Sequence, residues 1–446
     1  MELLNTYVLQ GTAGFARGEL DNVAVADDTV TLESVAGQYV LYGCYTGPQV
    51  AMPPFNQIMA SWNADTPQGT VVETQVRIMQ EGAWSSWYTF GKWSPYLRRS
   101  GVRTENGVQS DCLTVSGHAA DKMQLRVYLY TDRENLTPNV RLLAASVRPV
   151  GWQTKEGRPV SRTIYAPAYS QMVRDPAFGS SMDLPVAVAS MMNRCGADML
   201  PEALAHMMFD DVLQGCGNRA FAAAAAGCCG FEAYTAFMDL AALRKEVRSG
   251  FAVGIRLTSA HTQEQAEEKG LPLLEGSRGS GSRMAVLRGF LEEPEGGVKA
   301  LLNDPLAPAD AEAECWVSLE QLLGCWDNTA LAVHRKCKHG GESSPLQAAG
   351  KLIPLGPVGQ YHMEQQGQIC VLPALNGKAD CPACTFAYTV QEETVFATTA
   401  HKAFHYLTPG PEGLLCLPPE LFSQGGRITV YAIDWQGNMV VSELKA

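Results

Sequence analysis

Positive charge is in short supply: 34 Lys and Arg stand against 46 Asp and Glu, for a formal net charge of -12. Nucleic-acid surfaces need clustered cations, so nucleic acid is not an expected partner. No stretch of eighteen or more apolar residues occurs. The alanine run at 222–226 stops at Gly227 and reads as a buried helix, so no membrane span is expected. The opening residues, Met1-Glu2-Leu3-Leu4-Asn5-Thr6-Tyr7, lack a basic segment followed by an apolar core. That points to the cytoplasm, or to export through a segment outside this sequence. The 13 cysteines are odd in number and scattered, which argues against a secreted disulfide framework and for a reducing compartment.

Metal-site spacing is missing too. Cys381-Pro382-Ala383-Cys384 has no second Cys-x-x-Cys to complete a zinc site, and its surroundings read as strands and turns, not a redox-active strand-to-helix junction. His401 and His405 stand four apart without the Glu a metalloprotease helix needs after the first, and His334, Cys337 and His339 gather at a domain boundary. Both groups read as surface residues. No metal and no cofactor are expected.

What is present supports packed cores: 46% of the residues are apolar and 18% charged, and 446 residues make about three domains of ordinary size. Residues 1–150 are β-rich. Val72, Thr74, Val76 and Ile78 alternate with Val71, Glu73, Gln75 and Arg77 at the period of a half-buried strand. Upstream, Ser61-Trp62-Asn63-Ala64 leads into the turn signal Thr66-Pro67-Gln68-Gly69, and further strands are expected at 125–130 and 140–147, a spacing that fits a jelly-roll-type sandwich. Four of the eight tryptophans lie here, at 62, 84, 87 and 93, with Tyr88 and Phe90 among them. Exposed rings stack on sugars, which makes Trp84 and Trp87 candidate glycan contacts; a buried aromatic cluster is the other reading.

After a polar connection at 151–159, Asp239 precedes Leu240, Leu243 and Val247 at helical spacing, and Gly250 closes the helix after Arg248. A strand follows at 251–257. The polar stretch 258–282, with glycines at 270, 276, 279 and 281, reads as a loop. Beyond the linker Gly340-Gly341-Glu342-Ser343-Ser344-Pro345, short apolar runs end in a hairpin at 427–433 and 439–442, the pattern of a small immunoglobulin-like domain.

Five separated motifs carry a resemblance. They are Pro167-Ala168-Tyr169-Ser170-Gln171; Ser181-Met182-Asp183-Leu184-Pro185-Val186-Ala187; Gly215-Cys216-Gly217-Asn218-Arg219-Ala220-Phe221; Arg283-Met284-Ala285-Val286-Leu287-Arg288-Gly289-Phe290; and Asn303-Asp304-Pro305. In order and spacing they resemble the cysteine peptidase family 39-like group, papain-like relatives of bacteriocin-processing peptidases, over residues 160–335. The resemblance implies a papain-like α+β domain in which Asp183 stands at the position of the nucleophilic Cys and Arg283 at that of the His. Asp304 matches the acidic orienting residue and Gln171 the oxyanion-hole Gln. Arg219 replaces an aromatic residue, so the inherited cleft is rewritten, with Asn218 and Arg219 as candidate ligand contacts; for Asn218 and Phe221 turn-building and core packing are the other, favoured reading.

A papain-like nucleophile must be a thiolate, and its partner must titrate near neutral pH. Asp183 keeps the negative charge without the sulfur, and Arg283 cannot release its proton. A carboxylate nucleophile at Asp183 would need a second group acting as acid and base, which Arg283 cannot be; Ser180 or Ser181 would lack a base for the same reason. A direct Asp183–Arg283 ion pair holding the dead site shut is expected; the other reading is that both residues drifted after activity was lost and point to solvent.

The sequence therefore reads as a multidomain protein with a papain-like α+β central domain between two all-β sandwich domains: 1–150, 160–336 and 350–446. Its expected function is that of a cysteine peptidase homologue without catalysis, binding a peptide or glycan. Two alternatives stand beside it. One is an active peptidase or amidase with a displaced thiol among Cys195, Cys216, Cys228 and Cys229, of which Cys216 is best placed; the other is a structural or adhesive module. Nothing in the sequence speaks to oligomeric state.

Overall fold

The computed structural model describes residues 5–334 except 97, 98, 106, 175–177, 179, 180, 198 and 295. Beyond them it describes 361–363, 369–371, 383–391, 404–407, 415–417, 421, 427–434 and 439–445. The chain is a β-rich, multi-sheet protein with few helices.

The first sheet holds fourteen strands. Those that bear on the site are β1 (Thr6–Gln10), β2 (Tyr42–Thr46), β3 (Val50–Asp65), β4 (Thr70–Gln80), β5 (Tyr88–Trp93), β6 (Cys112–Thr114), β7 (Ala120–Thr131) and β8 (Asn139–Pro149). β7 runs antiparallel between β2 and β4, β8 between β1 and β3, and β6 adds to the other side of β3. The alternation seen in the sequence places Val72, Val76 and Ile78 of β4 in the core, while Gln75 and Arg77 stay on the open face. Trp62 and Trp93 are fully buried.

Three helices follow: α1 (Asp183–Arg194), α2 (Pro201–Met208) and α3 (Arg219–Cys228). α3 is short-chained from Ala222 to Gly227, so its backbone can lie close to β3. Phe221 meets Trp62 edge to face at 6.1 Å, and Asn63 Nδ2 donates to the carbonyls of Ala223 and Ala233 at 3.2 and 2.7 Å. Gly227 is required there, because a Cβ would come within 2.5 Å of the Asn63 side chain. One continuous apolar cluster runs from Leu9 and Trp62 through Val186 and Met191 to Phe221, so the first sheet and the helices share a core.

The second sheet is antiparallel. In chain order its elements are β9 (Glu232–Phe237), α4 (Leu240–Ser249), β10 (Val253–Ser259), α5 (Gln263–Lys269), β11 (Gly281–Glu292), β12 (Val298–Asn303), β13 (Glu314–Ser318), α6 (Leu319–Cys325) and β14 (Trp326–His334). The spatial order is β9-β14-β10-β11-β12-β13. α4 has the caps its sequence calls for: the Asp239 side chain accepts from Ala242 N, and Gly250 adopts φ 92° at the exit. α5 lies inside the stretch expected to be a loop. None of its residues is buried, so it carries no apolar periodicity to announce it.

Among the described C-terminal residues, β15 (Ala383–Gln391), β16 (His405–Leu407), β17 (Arg427–Asp434) and β18 (Met439–Lys445) form a sheet in the order β16-β15-β17-β18, with the expected β17–β18 hairpin. It touches the central unit through Phe404, 5.6 Å from the Tyr169 ring, and through the Tyr406 hydroxyl, which lies 2.6 Å from Arg174 Nη1 and 2.9 Å from Glu202 Oε2. The linker at 340–345, Cys337, His339, Cys381 and His401 lie outside the described residues. His405 is on a strand and not on a helical face.

Candidate functional site

Asp183 is the first residue of α1, where unpaired backbone N–H groups and the helix dipole favour an anion. The register of β11 brings Met284 alongside, and its N–H donates to Asp183 Oδ2 at 2.8 Å. Burial raises the carboxyl above its ordinary value; the N–H groups of Met284, Leu184 and Asp183 itself pull it back, with a smaller contribution from Arg256.

The expected ion pair between Asp183 and Arg283 is not formed. Arg283 turns instead to Asp304 at the end of β12, in a two-pronged pair: Nε to Oδ1 at 2.8 Å and Nη2 to Oδ2 at 2.9 Å, with both side chains 0% exposed. Its Nη1 donates to Ser259 Oγ and to the Gly281 carbonyl, each at 3.0 Å. Asp304 also accepts from the N–H groups of Arg278 and Leu306 at 3.0 and 3.1 Å. A planar fork satisfies a buried carboxylate on two oxygens at once, and β12 runs beside β11, so Asp304 wins the guanidinium. Asp183, already supplied with N–H donors, does without it.

Gln171 is buried beside this pair. Its N–H donates to the Pro305 carbonyl at 2.8 Å, while its Oε1 has no hydrogen-bond partner. Asn218 is fully buried and caps α3, its Oδ1 accepting from Ala220 N and Phe221 N and its Nδ2 donating to Asp210 at 3.1 Å. It therefore shapes the helix that presents Arg219. Arg219 reaches across to the first sheet, where Nε, Nη2 and the backbone N–H all bond to Asp111, at 2.6, 2.6 and 2.8 Å.

Of these residues Asp111, Asp183, Arg219, Arg283 and Met284 border a cleft of about 320 Å³ between the first sheet and the helix-bearing unit, whereas Gln171, Asn218 and Asp304 do not line it. Asp111, Cys112 and Arg148 line it from one side, and Asp183, Arg219 and Arg256 from the other. The sequence reading had not placed Asp111, Cys112, Arg148, Arg256 or Asp327 here, because no local motif marks residues that converge from four distant segments.

Apart from Cys112, the thiols near the cleft are buried or turned away from it. Cys112 lines the cleft, but burial pushes its thiol up to about 12, and no histidine lines the cleft beside it. Burial likewise pushes Cys216 to about 12, and its Sγ points at the Ala205 carbonyl, 3.6 Å away. Cys195 follows the end of α1, at its opposite end from Asp183, and Cys228 and Cys229 are buried. Ser181 Oγ donates to the Phe178 carbonyl at 2.9 Å; Ser180 lies outside the described residues.

Trp84 and Trp87 stand away from the cleft, on the open face of the first sheet. The Arg77 guanidinium lies 4.7 Å from the Trp84 ring and 4.8 Å from that of Trp87, and Arg126 lies 4.1 Å from Trp87. Cation–π stacking thus takes up ring surface that a sugar would need. His334, expected at the surface, is only partly exposed, with Nε2 2.8 Å from Glu246 Oε2. Burial lowers its pKa, but Glu232 and Glu246 outweigh that and hold it at about 9.

Among the described residues, no group of His, Cys, Asp or Glu has a metal-holding arrangement, and no helix is long and apolar enough to cross a membrane.

Comparison with known proteins finds a family model, the peptidase C39 N-terminal domain, matching residues 6–147, the span from β1 to the end of β8. It relates the chain to peptidase C39 proteins at that coarse level. No curated protein matches. Solved structures similar to the chain include the C-terminal CBM6 of LamC, a marine laminarinase from Zobellia galactanivorans (11% identity, 32% of this chain and 99% of that one, TM-score 0.19). Another is the xylan-binding module CBM86 from Roseburia intestinalis (12% identity, 32% and 96%, TM-score 0.18). At such TM-scores these likenesses carry no functional weight.

Proposed function

We propose that this protein is a peptidase C39 relative that has exchanged catalysis for peptide binding. It would have three domains: residues 1–150, a papain-like α+β unit at 160–336, and a small β-sandwich at 350–446. The observation that carries the reading is the fate of the two reacting positions. A carboxylate occupies the amino end of α1, where a thiolate would stand, and the guanidinium at the base position is buried against Asp304, unable to accept or release a proton. The cleft beside them remains open, and at about 320 Å³ it is at the lower end of the range for small-ligand pockets. Its walls are dominated by polar side chains from two units, which suits a peptide's amides better than an apolar ligand.

A peptide is favoured over a glycan because Trp84 and Trp87, the candidate sugar platforms, stack on Arg77 and Arg126 outside the cleft. The test is calorimetric titration with a pool of short synthetic peptides, each recovered and weighed by mass spectrometry afterwards. Binding with every peptide intact is expected; cleavage, or no binding by any peptide, would sink the reading.

A further inference from the structure

The charges along the cleft do not all cancel locally. Arg219 is paired with Asp111, Arg283 with Asp304, and Arg256 with Asp327 at 3.0 Å. Two lining groups of opposite sign are left over. Asp183 has N–H donors but no cation within ion-pair distance; Arg256 acts on it only at range, with its own guanidinium bonded to Asp327. Arg148 makes one long bond, 3.4 Å to the Asp327 carbonyl oxygen, and sits 6.0 Å from the Phe237 ring. A third group points the same way: Arg219, lining the same cleft, has its Nη1 buried without a hydrogen-bond partner. Buried donors are nearly always satisfied, so one left open calls for an acceptor from elsewhere.

We infer that the cleft binds a zwitterionic ligand, a short peptide with both termini free, placing its ammonium on Asp183 and its carboxylate on Arg148, with Arg219 Nη1 in support. This rests on the peptide-binding reading above and narrows it from peptides in general to peptide ends. The chemistry is complementary on both sides. An ammonium brings three donors and a positive charge to a half-buried carboxylate whose present partners are uncharged amides. A terminal carboxylate brings two acceptor oxygens to planar guanidinium groups. A ligand carrying one charge of each sign leaves the cleft neutral, whereas a singly charged one would strand either Asp183 or Arg148 in a partly dehydrated site. The small volume agrees, since it leaves little room for chain beyond the two ends.

The experiment uses the full chain and three probes: tri-alanine, N-acetyl-tri-alanine and tri-alanine amide, each titrated calorimetrically. The natural chain should bind the free peptide at least tenfold more tightly than either capped form. Asp183→Asn should erase the penalty for acetylation while keeping that for amidation, and Arg148→Gln should do the reverse. Equal affinity for free and capped peptides would overturn the inference and leave peptide binding standing. Failure of all three probes, together with failure of the peptide pool, would overturn both. The capped ligands give the answer on the natural chain, so the result does not depend on either variant folding.

Discussion

Removing one member of the Arg283–Asp304 pair should cost far more than removing both in proportion. Both side chains are 0% exposed and share two short bonds. Asp304→Ala would strand a guanidinium whose remaining acceptors are only Ser259 Oγ and the Gly281 carbonyl. Breaking a buried pair this way costs about 3–5 kcal/mol. Arg283→Ala would leave a buried carboxylate with the N–H groups of Arg278 and Leu306, plus the space of the lost side chain, for a similar cost of about 3–5 kcal/mol. Independent effects would add to about 6–10 kcal/mol, whereas the double substitution strands no charge and should cost about 3–5 kcal/mol. Urea unfolding of the natural chain, both single variants and the double variant measures the coupling directly. A double variant whose loss equals the sum of the singles within about 0.5 kcal/mol would refute the claim that the pair acts as a unit.

The Asp111–Arg219 contact joins the first sheet to α3, so Asp111→Ala should lower stability by about 3 kcal/mol, read as a fall in unfolding temperature, while Asp111→Asn should cost less. His334→Gln should be pH-dependent. The folded-state pKa of about 9 lies above the ordinary 6.5, so the histidine's contribution is complete below about pH 6.5 and is lost as pH rises through about 9. The variant should therefore trail the natural chain by on the order of 2 kcal/mol at pH 6 and converge with it above pH 9, as followed by urea midpoints. A deficit that stays constant with pH would show that Glu232 and Glu246 do not act through the imidazolium.

Local physics was legible in the sequence where a short pattern decides the outcome. The period-two alternation through Val72, Val76 and Ile78 placed β4, and Asp239 with Gly250 bounded α4, because one residue's capping chemistry or conformational freedom settles each case. Of the four tryptophans in the first sheet, Trp62 and Trp93 went to the core, as one of the two readings held. The guanidinium stacks on Trp84 and Trp87 could not be read, since Arg77 and Arg126 reach those rings only through the β4–β7 register. The motif resemblance singled out Asp183, Arg283 and Asp304 as candidates, and the ion pair expected among them was not the one formed. Charge mimicry suggested Asp183 for Arg283, and strand adjacency gave it Asp304. The cleft was the least legible feature, because Asp111 and Arg148 come from the first sheet and meet Asp183 only after two units share one core.

The central claim is that the reacting positions have lost their chemistry while the cleft persists. Its most direct test is hydrolysis of a mixed peptide and amide library by the natural chain beside the double variant Asp183→Cys, Arg283→His. The account predicts no turnover by the natural chain, before or after thiol alkylation, with any recovered activity confined to the double variant. Turnover by the natural chain that is abolished by alkylating one of its cysteines would contradict it.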